Sequence, residues 1–288
     1  MGNAPDKLAP LRQEIDSIDE QLHDLLMRRA EIVGEIGQQK ASDGGPIFRP
    51  AREALLLRRL LARHHGDMPR AVVVRLWREI VASSIRLQSD FSVGYCLMGE
   101  HGDALRLANG QFGLDADVTR LASASQVVSA VGRGDVSVGL VPLPHSSDSP
   151  EWWAEMRNFP ELHVMARLPW FRPASENGDA AGALVLAKGA PEETGDDRTV
   201  LTFFCDSDVS RARFAELAGQ NDLDADTQAV AASPDGAGGR VHLADVAGFV
   251  AEDDARVRCL ATLLGNAEVC WLGAYAAPFV DDVDDSKS

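Results

Sequence analysis

Two basic side chains on one predicted helix could hold a small molecule that carries two negative charges. Apolar residues of this helix recur at intervals of three and four, and the next step of that series falls on Arg29. An arginine on the apolar side of a helix is costly unless an anion meets it. Lys40 lies eleven residues further, close to three whole turns, so it points in the same direction about 16 Å along the axis. The spacing therefore predicts that Arg29 and Lys40 close on a small dianion.

Arg12 carries a third positive charge on the same helix. It precedes Arg29 by seventeen residues, or about 25 Å, and cannot reach the same ligand within one chain. An antiparallel helix of a partner chain could supply it instead.

Polar residues also interrupt the apolar side of two later helices. Ser84 and Gln88 are spaced i, i+4 on the third predicted helix, and Arg52 and Glu53 are adjacent at the start of the second. Each one has an ordinary alternative, because polar residues on helices are usually solvated. Together they indicate a pocket lined with cations and a few neutral hydrogen-bond donors.

Three amphipathic helices must position these residues. The periodicity predicts helices over 7–41, about 50–64 and about 69–90. The first would be about 50 Å long, and a small domain cannot bury an apolar stripe of that length, so we expect a second chain to cover it. The stripe consists of Leu8, Leu11, Ile15, Ile18, Leu22, Leu25, Ile32 and Ile36.

After residue 90 the sequence predicts an α/β or α+β region. Short β-like runs alternate there with turns and with helical stretches at Ser123–Arg133, Ser210–Ala218 and Asp253–Leu264. The stretches 174–181 and 191–198 are predicted loops, and an acidic tail follows over 281–288. The predicted strands are Ser92–Met98, Val136–Val141, Leu162–Leu168, Ala183–Ala187, Thr199–Cys205, Arg240–Val246 and Glu268–Leu272.

Composition excludes several functional classes. Residues 1–90 hold 14 basic and 13 acidic side chains, whereas the rest of this chain of net charge −16 holds 14 basic and 31 acidic ones, which argues against nucleic-acid binding. No apolar run has the length of a membrane span, and the first residues lack the pattern of a signal peptide. The four scattered cysteines contain no CxxC pair, so we expect a cytoplasmic protein with neither a metal site nor a disulfide framework.

The first ninety residues resemble the all-helical chorismate mutases, the N-terminal domain of the bifunctional chorismate mutase–prephenate dehydratase type. The resemblance covers about residues 7–89 and includes every ligand-binding position. The matching residues are Leu11-Arg12, Ile18-Asp19, Leu25-Leu26, Arg29, Gly37, Lys40, Pro46, Arg52-Glu53, Ser84 and Gln88.

The resemblance implies an intertwined homodimer of three-helix chains, in which Arg12 crosses to the partner's site. Arg12 and Arg29 would hold the two carboxylates of chorismate, and Lys40 would contact a carboxylate and the ether oxygen. Gln88 would donate to the same ether oxygen. Three further roles are implied: Glu53 would accept from the ring hydroxyl, with Arg52 and Ser84 in support. Arg49 departs from the family, since some relatives carry an acidic residue there.

The implied reaction suits these residue types. The rearrangement of chorismate to prephenate is pericyclic and unimolecular, so it requires no nucleophile, metal, cofactor or proton transfer. It requires a flexible diacid held in a compact form. It also requires donors aimed at the ether oxygen, which gains negative charge as its bond to carbon breaks.

Residues 91–280 resemble a degenerate prephenate dehydratase lobe followed by a degenerate ACT module, the amino-acid-binding fold of that family. Pro142-Leu143-Pro144-His145-Ser146 stands where the dehydratases have Pro-Ile-Glu-Asn-Ser, and Ala181-Gly182-Ala183 stands at their catalytic Thr-Arg-Phe. The ACT resemblance rests on Leu272-Gly273-Ala274-Tyr275, although the effector turn is replaced around Val209–Ala212 and Glu-Ser-Arg-Pro by Ala231-Ala232-Ser233-Pro234. An aromatic amino acid is a possible effector.

The predicted architecture is therefore multidomain. An all-α mutase domain over 1–90 is followed by a truncated dehydratase-like α/β lobe over 91–190, an ACT-like α+β domain over 191–280 and a tail over 281–288. The leading hypothesis is a chorismate mutase with a structural or regulatory C-terminal region. Two alternatives stay open: a bifunctional mutase–dehydratase with an atypical second site, and a non-catalytic dimeric sensor of a metabolite.

Overall fold

Three helices open the chain, as the apolar periodicity predicts. The computed structural model describes residues 8–43, 45–96, 103–144, 152–173, 182–232 and 239–281. Its first helices are α1 (Ala9–Asp43), α2 (Pro50–Ala62) and α3 (Arg70–Arg86). Pro50 occupies the first turn of α2, where the missing N–H needs no partner. Because α3 ends at Arg86, Gln88 lies in the turn after the helix and not within it as expected.

The remainder of the chain forms a mixed sheet with helices against it. Within the described residues, the strands of this sheet are β1 (Ser92–Tyr95), β2 (Asp117–Arg120), β3 (Val138–Pro142), β4 (Leu162–Leu168), β6 (Ala183–Lys188), β7 (Asp197–Cys205), β8 (Ala225–Ala232), β9 (Arg240–Ala247) and β10 (Glu268–Ala276). These nine strands lie in the order β2-β1-β3-β6-β4-β10-β7-β9-β8. Two short strands, β5 (Phe171–Pro173) and β11 (Phe279–Asp281), pair separately. The helices are α4 (Asp103–Phe112), α5 (Ala124–Arg133), α6 (Trp152–Glu155), α7 (Arg211–Gln220) and α8 (Ala255–Leu263).

Alternate residues of β7 enter two apolar clusters. Val200 and Phe204 belong to the cluster that includes α5 and α6, whereas Leu201 and Phe203 belong to the cluster that includes α7 and α8. Side chains of successive strand residues point to opposite faces, so β7 contributes to the core on both sides of the sheet.

The seven predicted strands and three predicted downstream helices are confirmed, with shifted ends. The sequence pattern missed α4, α6, β2, β5, β8 and β11. Strand β2 lies at the edge of the sheet with little burial, and β8 at the other edge is only partly buried, so neither carries a clear alternation. The predicted loop over 174–181, residues 97–98 of the first predicted strand and the tail from residue 282 lie outside the described residues.

The chain divides into two compact units whose limits differ from the predicted domains. Unit 1 comprises residues 1–47 and 83–90, and unit 2 comprises residues 48–82 and 91–288. Helix α2 and most of α3 thus belong with the sheet and not with α1. The predicted boundary at residue 190 does not interrupt the sheet, because β10 pairs with β4 in parallel through Gly273 and Val164.

Gly273 makes that strand pairing possible. Its φ is +135°, and a Cβ at this position would stand 2.3 Å from the carbonyl oxygen of Val164. Only glycine tolerates both the conformation and the close approach. The Leu-Gly-Ala-Tyr stretch that resembles the end of an ACT module therefore joins the two predicted C-terminal domains into one sheet.

None of the described helices combines the length and the apolar character needed to cross a membrane. All four cysteines are free thiols: Cys96 and Cys205 are buried, Cys270 is half-buried and Cys259 is exposed. Burial raises the pKa of Cys205 to about 11.

Candidate active site

Arg29, Ser84 and Gln88 meet in unit 1. The half-buried guanidinium of Arg29 donates a short hydrogen bond to the hydroxyl of Ser84. The amide nitrogen of Gln88 donates to the main-chain carbonyl of Ser84 at 2.8 Å. Ser84 is buried and so links a cation on α1 to an amide donor beyond the end of α3. The structure therefore brings together three of the seven predicted site residues.

Gly37 lets Gln88 lie against α1. A Cβ at residue 37 would stand 3.0 Å from Cγ and 3.2 Å from Cα of Gln88, closer than ordinary van der Waals contact. Gly37 is buried inside the continuous α1 helix, although glycine usually lowers the stability of a helix interior. Close approach of the turn that carries Gln88 accounts for a glycine at this position.

Lys40 lies one turn beyond Gly37 in the last turn of α1. Its half-buried side chain donates to the carbonyl oxygen of Pro46 at 2.7 Å. An ammonium group has three donors, and one of them serves the carbonyl of Pro46. Residues 37 to 40 of α1 therefore carry both the contact to Gln88 and a positioned cation.

Arg12 stays apart from the other predicted residues of unit 1. Helix α1 is unbroken from Ala9 to Asp43, so its rise separates Arg12 from Arg29 by about 25 Å. Arg12 is exposed, and so are the apolar residues around it. In a single chain the structure does not bring Arg12 to Arg29, which agrees with the expectation from the spacing.

Glu53 is buried in unit 2 and forms an ion pair with Arg78. The two side chains are each about 5% exposed, and the pair is shorter than a normal salt bridge. Arg78 also donates to the carbonyl oxygen of Gln111 and lies over the ring of Trp170, 5.6 Å from its centroid. Burial lowers the pKa of Arg78 to about 9, so the guanidinium remains charged at neutral pH opposite Glu53. Arg52, the neighbour of Glu53, is exposed.

The sequence interpretation missed Arg78. Buried Val74 and Ala82 lie one turn before and one turn after it on α3, so it interrupts an apolar series just as Arg29 does on α1. The rule that singled out Arg29 could have found Arg78. Its partner, however, is 25 residues away in the sequence, and no spacing on a single helix predicts it.

Two arginines attach the start and middle of α2 to the segment that precedes β7. One Nη of Arg49 donates to both carboxylate oxygens of Glu192, at 2.7 and 3.0 Å. Arg58 donates to the carbonyl and hydroxyl of Thr194 and to the carbonyl of Asp196, at 2.6–2.7 Å. The basic residue at position 49, where some mutases carry an acid, therefore has a partner in the C-terminal region of this chain.

A second buried polar cluster, within the sheet, lacks the space for a substrate. Asp245 accepts from Arg198 at 2.8 Å and from the hydroxyl of Tyr275 at 2.6 Å. Burial, followed by the charge of Asp245, raises the pKa of Tyr275. The cavity beside them measures 10 Å³, about the size of one water molecule. Among the described residues, no three His, Cys, Asp or Glu side chains are arranged to hold a metal ion.

Comparison with known proteins confirms the predicted resemblance for the first third of the chain. Residues 11–89 match the family model of chorismate mutase type II. A bifunctional chorismate mutase/prephenate dehydratase from Pseudomonas aeruginosa is 33% identical over 149 residues, which are 50% of this chain and 40% of that protein. A protein named T-protein from Enterobacter agglomerans is 43% identical over 82 residues, 27% of this chain and 22% of its own length. The chain thus spans less than half of the length of these relatives. A prephenate dehydratase structure from Streptococcus mutans superposes with a TM-score of 0.45 at 15% identity, covering 64% of this chain and 97% of that one.

Proposed function

We propose that this chain converts chorismate to prephenate with residues of its N-terminal helices. The observation that carries the proposal is the convergence of Arg29, Ser84 and Gln88, with Lys40 on the same helix. A cation and a neutral amide donor are held by a common buried serine. The family match over residues 11–89 supports the same reaction.

The proposed roles follow the charge that moves in the reaction. Arg29 holds one carboxylate of chorismate, and Lys40 contacts a carboxylate and the ether oxygen. One N–H of the Gln88 amide is engaged by Ser84, and the second N–H is the proposed donor to the ether oxygen. Donors fixed before the reaction stabilise the negative charge on that oxygen without reorganisation.

Glu53 and Arg52 complete the proposed set. A carboxylate has about four acceptor positions, so Glu53 can pair with Arg78 and still accept a hydrogen bond from the ring hydroxyl of the substrate. Arg52 and Ser84 support the other side chains. The reaction takes no cofactor in this proposal, because the substrate rearranges without an external nucleophile or electron carrier.

A second copy of the chain is the proposed partner of α1. The helix is about 52 Å long and its apolar stripe is exposed over its whole length. Contiguous apolar surface of this extent marks an interface. An antiparallel second α1 would cover the stripe and deliver its own Arg12 to the carboxylate that Arg29 leaves unpaired.

We infer a structural or regulatory role for the C-terminal region. Position 181, where the resemblance places the catalytic threonine of dehydratases, is an alanine and lies outside the described residues, as do His145 and Ser146. A bifunctional enzyme would therefore need a different second site. Free cysteines suit the reducing cytoplasm in which we place the reaction. Titration with L-phenylalanine during turnover tests for an aromatic effector.

The experiment is a continuous absorbance assay of chorismate loss by the purified full-length protein, followed by acid treatment that distinguishes prephenate from phenylpyruvate. Accumulation of prephenate is the expected result, whereas direct formation of phenylpyruvate would establish the bifunctional alternative. No consumption by a folded dimer would overturn the proposal in favour of a metabolite sensor.

Arg29→Ala is the matched test of the site. We expect turnover to fall at least about 100-fold, because one charged donor to the substrate is lost. Arg28→Ala is the control, since Arg28 is exposed and its ion pair is with Glu31 on the same helix. Equal turnover by both variants would remove Arg29 from the site.

A further inference from the structure

Two aromatic rings of the C-terminal region each lie beneath an arginine of α2 or α3. The rings of Trp170 and Phe279 stack with 6.2 Å between their centroids and 24° between their planes. The guanidinium of Arg78, on α3, lies over the Trp170 ring at 5.6 Å from its centroid. The guanidinium of Arg58, on α2, lies over the Phe279 ring at 5.8 Å. All four residues belong to unit 2, and they form one series of contacts that joins both helices to the C-terminal region.

The main chain holds the two rings in place. The N–H of Phe279 donates to the carbonyl oxygen of Trp170 at 2.6 Å, and β11 pairs with β5 so that Phe279 lies opposite Phe171. Trp170 is also buried. Aromatic side chains have only two rotatable bonds, so a fixed main chain and close packing leave the rings little freedom. The stacked pair therefore presents a rigid surface to Arg78.

Arg78 depends on that surface because its charge is buried. Its guanidinium pairs with the carboxylate of Glu53 and donates to the carbonyl oxygen of Gln111. A guanidinium is planar and donates its hydrogen bonds within that plane, so its face can lie on an aromatic ring at the same time. Tryptophan attracts a cation most strongly of the aromatic side chains, and more so away from water. The Trp170 ring therefore helps to fix the plane in which Arg78 reaches Glu53.

Glu53 in turn depends on the position of Arg78. Its side chain is buried, and a buried carboxylate that loses its cation is strongly unfavourable. In the proposed reaction Glu53 accepts a hydrogen bond from the ring hydroxyl of chorismate. A displacement of Arg78 would therefore displace the acceptor that the substrate requires.

We propose that Trp170 is a positioning residue for the proposed rearrangement of chorismate, acting through Arg78 on Glu53, with Phe279 as the support of its ring. This inference rests on the proposed function. It gives the reaction a residue that lies outside the family match over residues 11–89. The ring hydroxyl is present in the substrate and in the transition state alike. Loss of its acceptor therefore weakens the binding of both and raises KM.

The test is the steady-state kinetics of chorismate turnover by the full chain and its variants. Trp170→Leu should raise KM at least about tenfold, which is the size of a buried cation–π contact, and should change kcat less than about threefold. Trp170→Phe keeps a ring face beneath Arg78 and should restore KM to within about threefold of the wild-type value. Circular dichroism shows whether each variant is folded.

Phe279→Leu and Phe204→Leu form a matched pair. Phe279 is only half-buried, so its replacement perturbs the fold less than that of Trp170, and it should raise KM about threefold through the lost ring contact. Phe204 also lies beneath an arginine, 4.9 Å from the guanidinium of Arg157, whose ion pair is with Glu268. Phe204→Leu should therefore leave KM unchanged. If Trp170→Leu does not fold, this pair decides, and equal KM values for its two members would overturn the proposal.

A double-mutant cycle separates a positioning role from a general loss of structure. In the Glu53→Gln background Trp170→Leu should change KM less than about twofold, because the carboxylate through which the ring acts has been replaced. An equal rise of KM in both backgrounds would overturn the inference while leaving the proposed function intact. Unchanged kinetics of a folded Trp170→Leu, or a fall of its kcat at constant KM, would do the same. Absence of turnover by the wild type would overturn the proposed function, and this inference with it.

Discussion

His242 is fully buried against α7, and protonation of its imidazole is unfavourable there. Its ring stacks on Phe214 with 4.8 Å between centroids, and Nε2 donates to the carbonyl of Val209 at 3.0 Å. Burial lowers the pKa of His242, and the positive charges of Arg211 and Arg240 lower it further. The residue is therefore neutral in the folded state over a wider pH range than in the unfolded chain.

Acid should destabilise the fold through His242. Because the folded-state pKa is lowered, the unfolded chain takes up the proton first, and stability falls as the pH drops below the usual histidine pKa of about 6.5. We expect His242→Gln to flatten this dependence by up to about 1.4 kcal/mol per pH unit. Urea unfolding at pH values from about 5 to about 8, on both sides of that pKa, measures the pH dependence of stability. The exposed His65→Gln serves as control, and equal slopes for both variants would contradict the prediction.

A substitution at Gly37 tests whether its close contact with Gln88 positions the amide. Gly37→Ala should lower kcat/KM about tenfold, because the added methyl group displaces the amide that donates to the ether oxygen. The helix itself gains about 1 kcal/mol from the substitution, so the fold should not be lost.

Gly34→Ala provides the comparison one turn earlier. A Cβ there meets nothing within 4 Å in the chain, so only the gain in helix stability is expected. The measurements are the rate of chorismate turnover and the thermal unfolding temperature of both variants. Unchanged turnover in Gly37→Ala would show that the turn adapts.

At the scale of elements, α1 is a helix whose apolar side has no cover within the described chain. Leu25 is 68% exposed, and the other members of the stripe are at least 40% exposed. The polar residue Gln38 lies about 180° away around the helix. Burial of the stripe is therefore the physical reason to expect a second copy.

Leu25→Glu should separate that dimer. A charge at the centre of the stripe would be buried without a partner, which costs several kcal/mol. We expect sedimentation velocity to show monomers. Chorismate turnover should also fall, because Arg12 of the partner subunit no longer reaches the substrate carboxylate beside Arg29. Gln38→Glu adds the same charge on the opposite side and should leave the dimer intact. A monomeric, active wild type would contradict both the prediction and the proposed interface.

At the scale of the whole molecule, α2 and most of α3 belong with the sheet. Helix α2 contacts β4 and β10, and its residues Ala54, Leu57 and Leu61 are buried. Arg49 and Arg58 bind the segment before β7. The C-terminal region is therefore part of the folding unit that holds Glu53.

Removal of that region should destabilise the helices it supports. A fragment of residues 1–90 loses the partners of Arg49 and Arg58 and the bond of Arg78 to Gln111, although Arg78 keeps Glu53. It also exposes apolar side chains of α2 that are each worth about 1.5–3 kcal/mol of burial. We expect reduced helicity by circular dichroism and no cooperative unfolding. A chain of residues 1–281 keeps every described contact and should unfold as the full chain does. A cooperative, fully active 1–90 fragment would contradict the prediction.

Local patterns of the sequence predicted much of the fold. Apolar periodicity is a property of neighbouring residues, so it located α1 to α3. The predicted helix at Ser123–Arg133 is also present, and in the structure Ser123 caps its start and Gly134, in the left-handed conformation, ends it. The edge strands β2 and β8 escaped detection because neither has a well-buried face, so their sequences carry little alternation.

By itself, the sequence determined three helices, a spacing of Arg29 and Lys40 suited to a dianion, and a match to the chorismate mutase type II family over residues 11–89. Only the tertiary structure decided that Glu53 pairs with Arg78, that Arg49 binds Glu192, and that one sheet crosses the predicted boundary at residue 190. These features join residues that are 25 or more positions apart. Periodicity reports which side of a helix is buried, whereas the partner that it meets depends on how the whole chain packs.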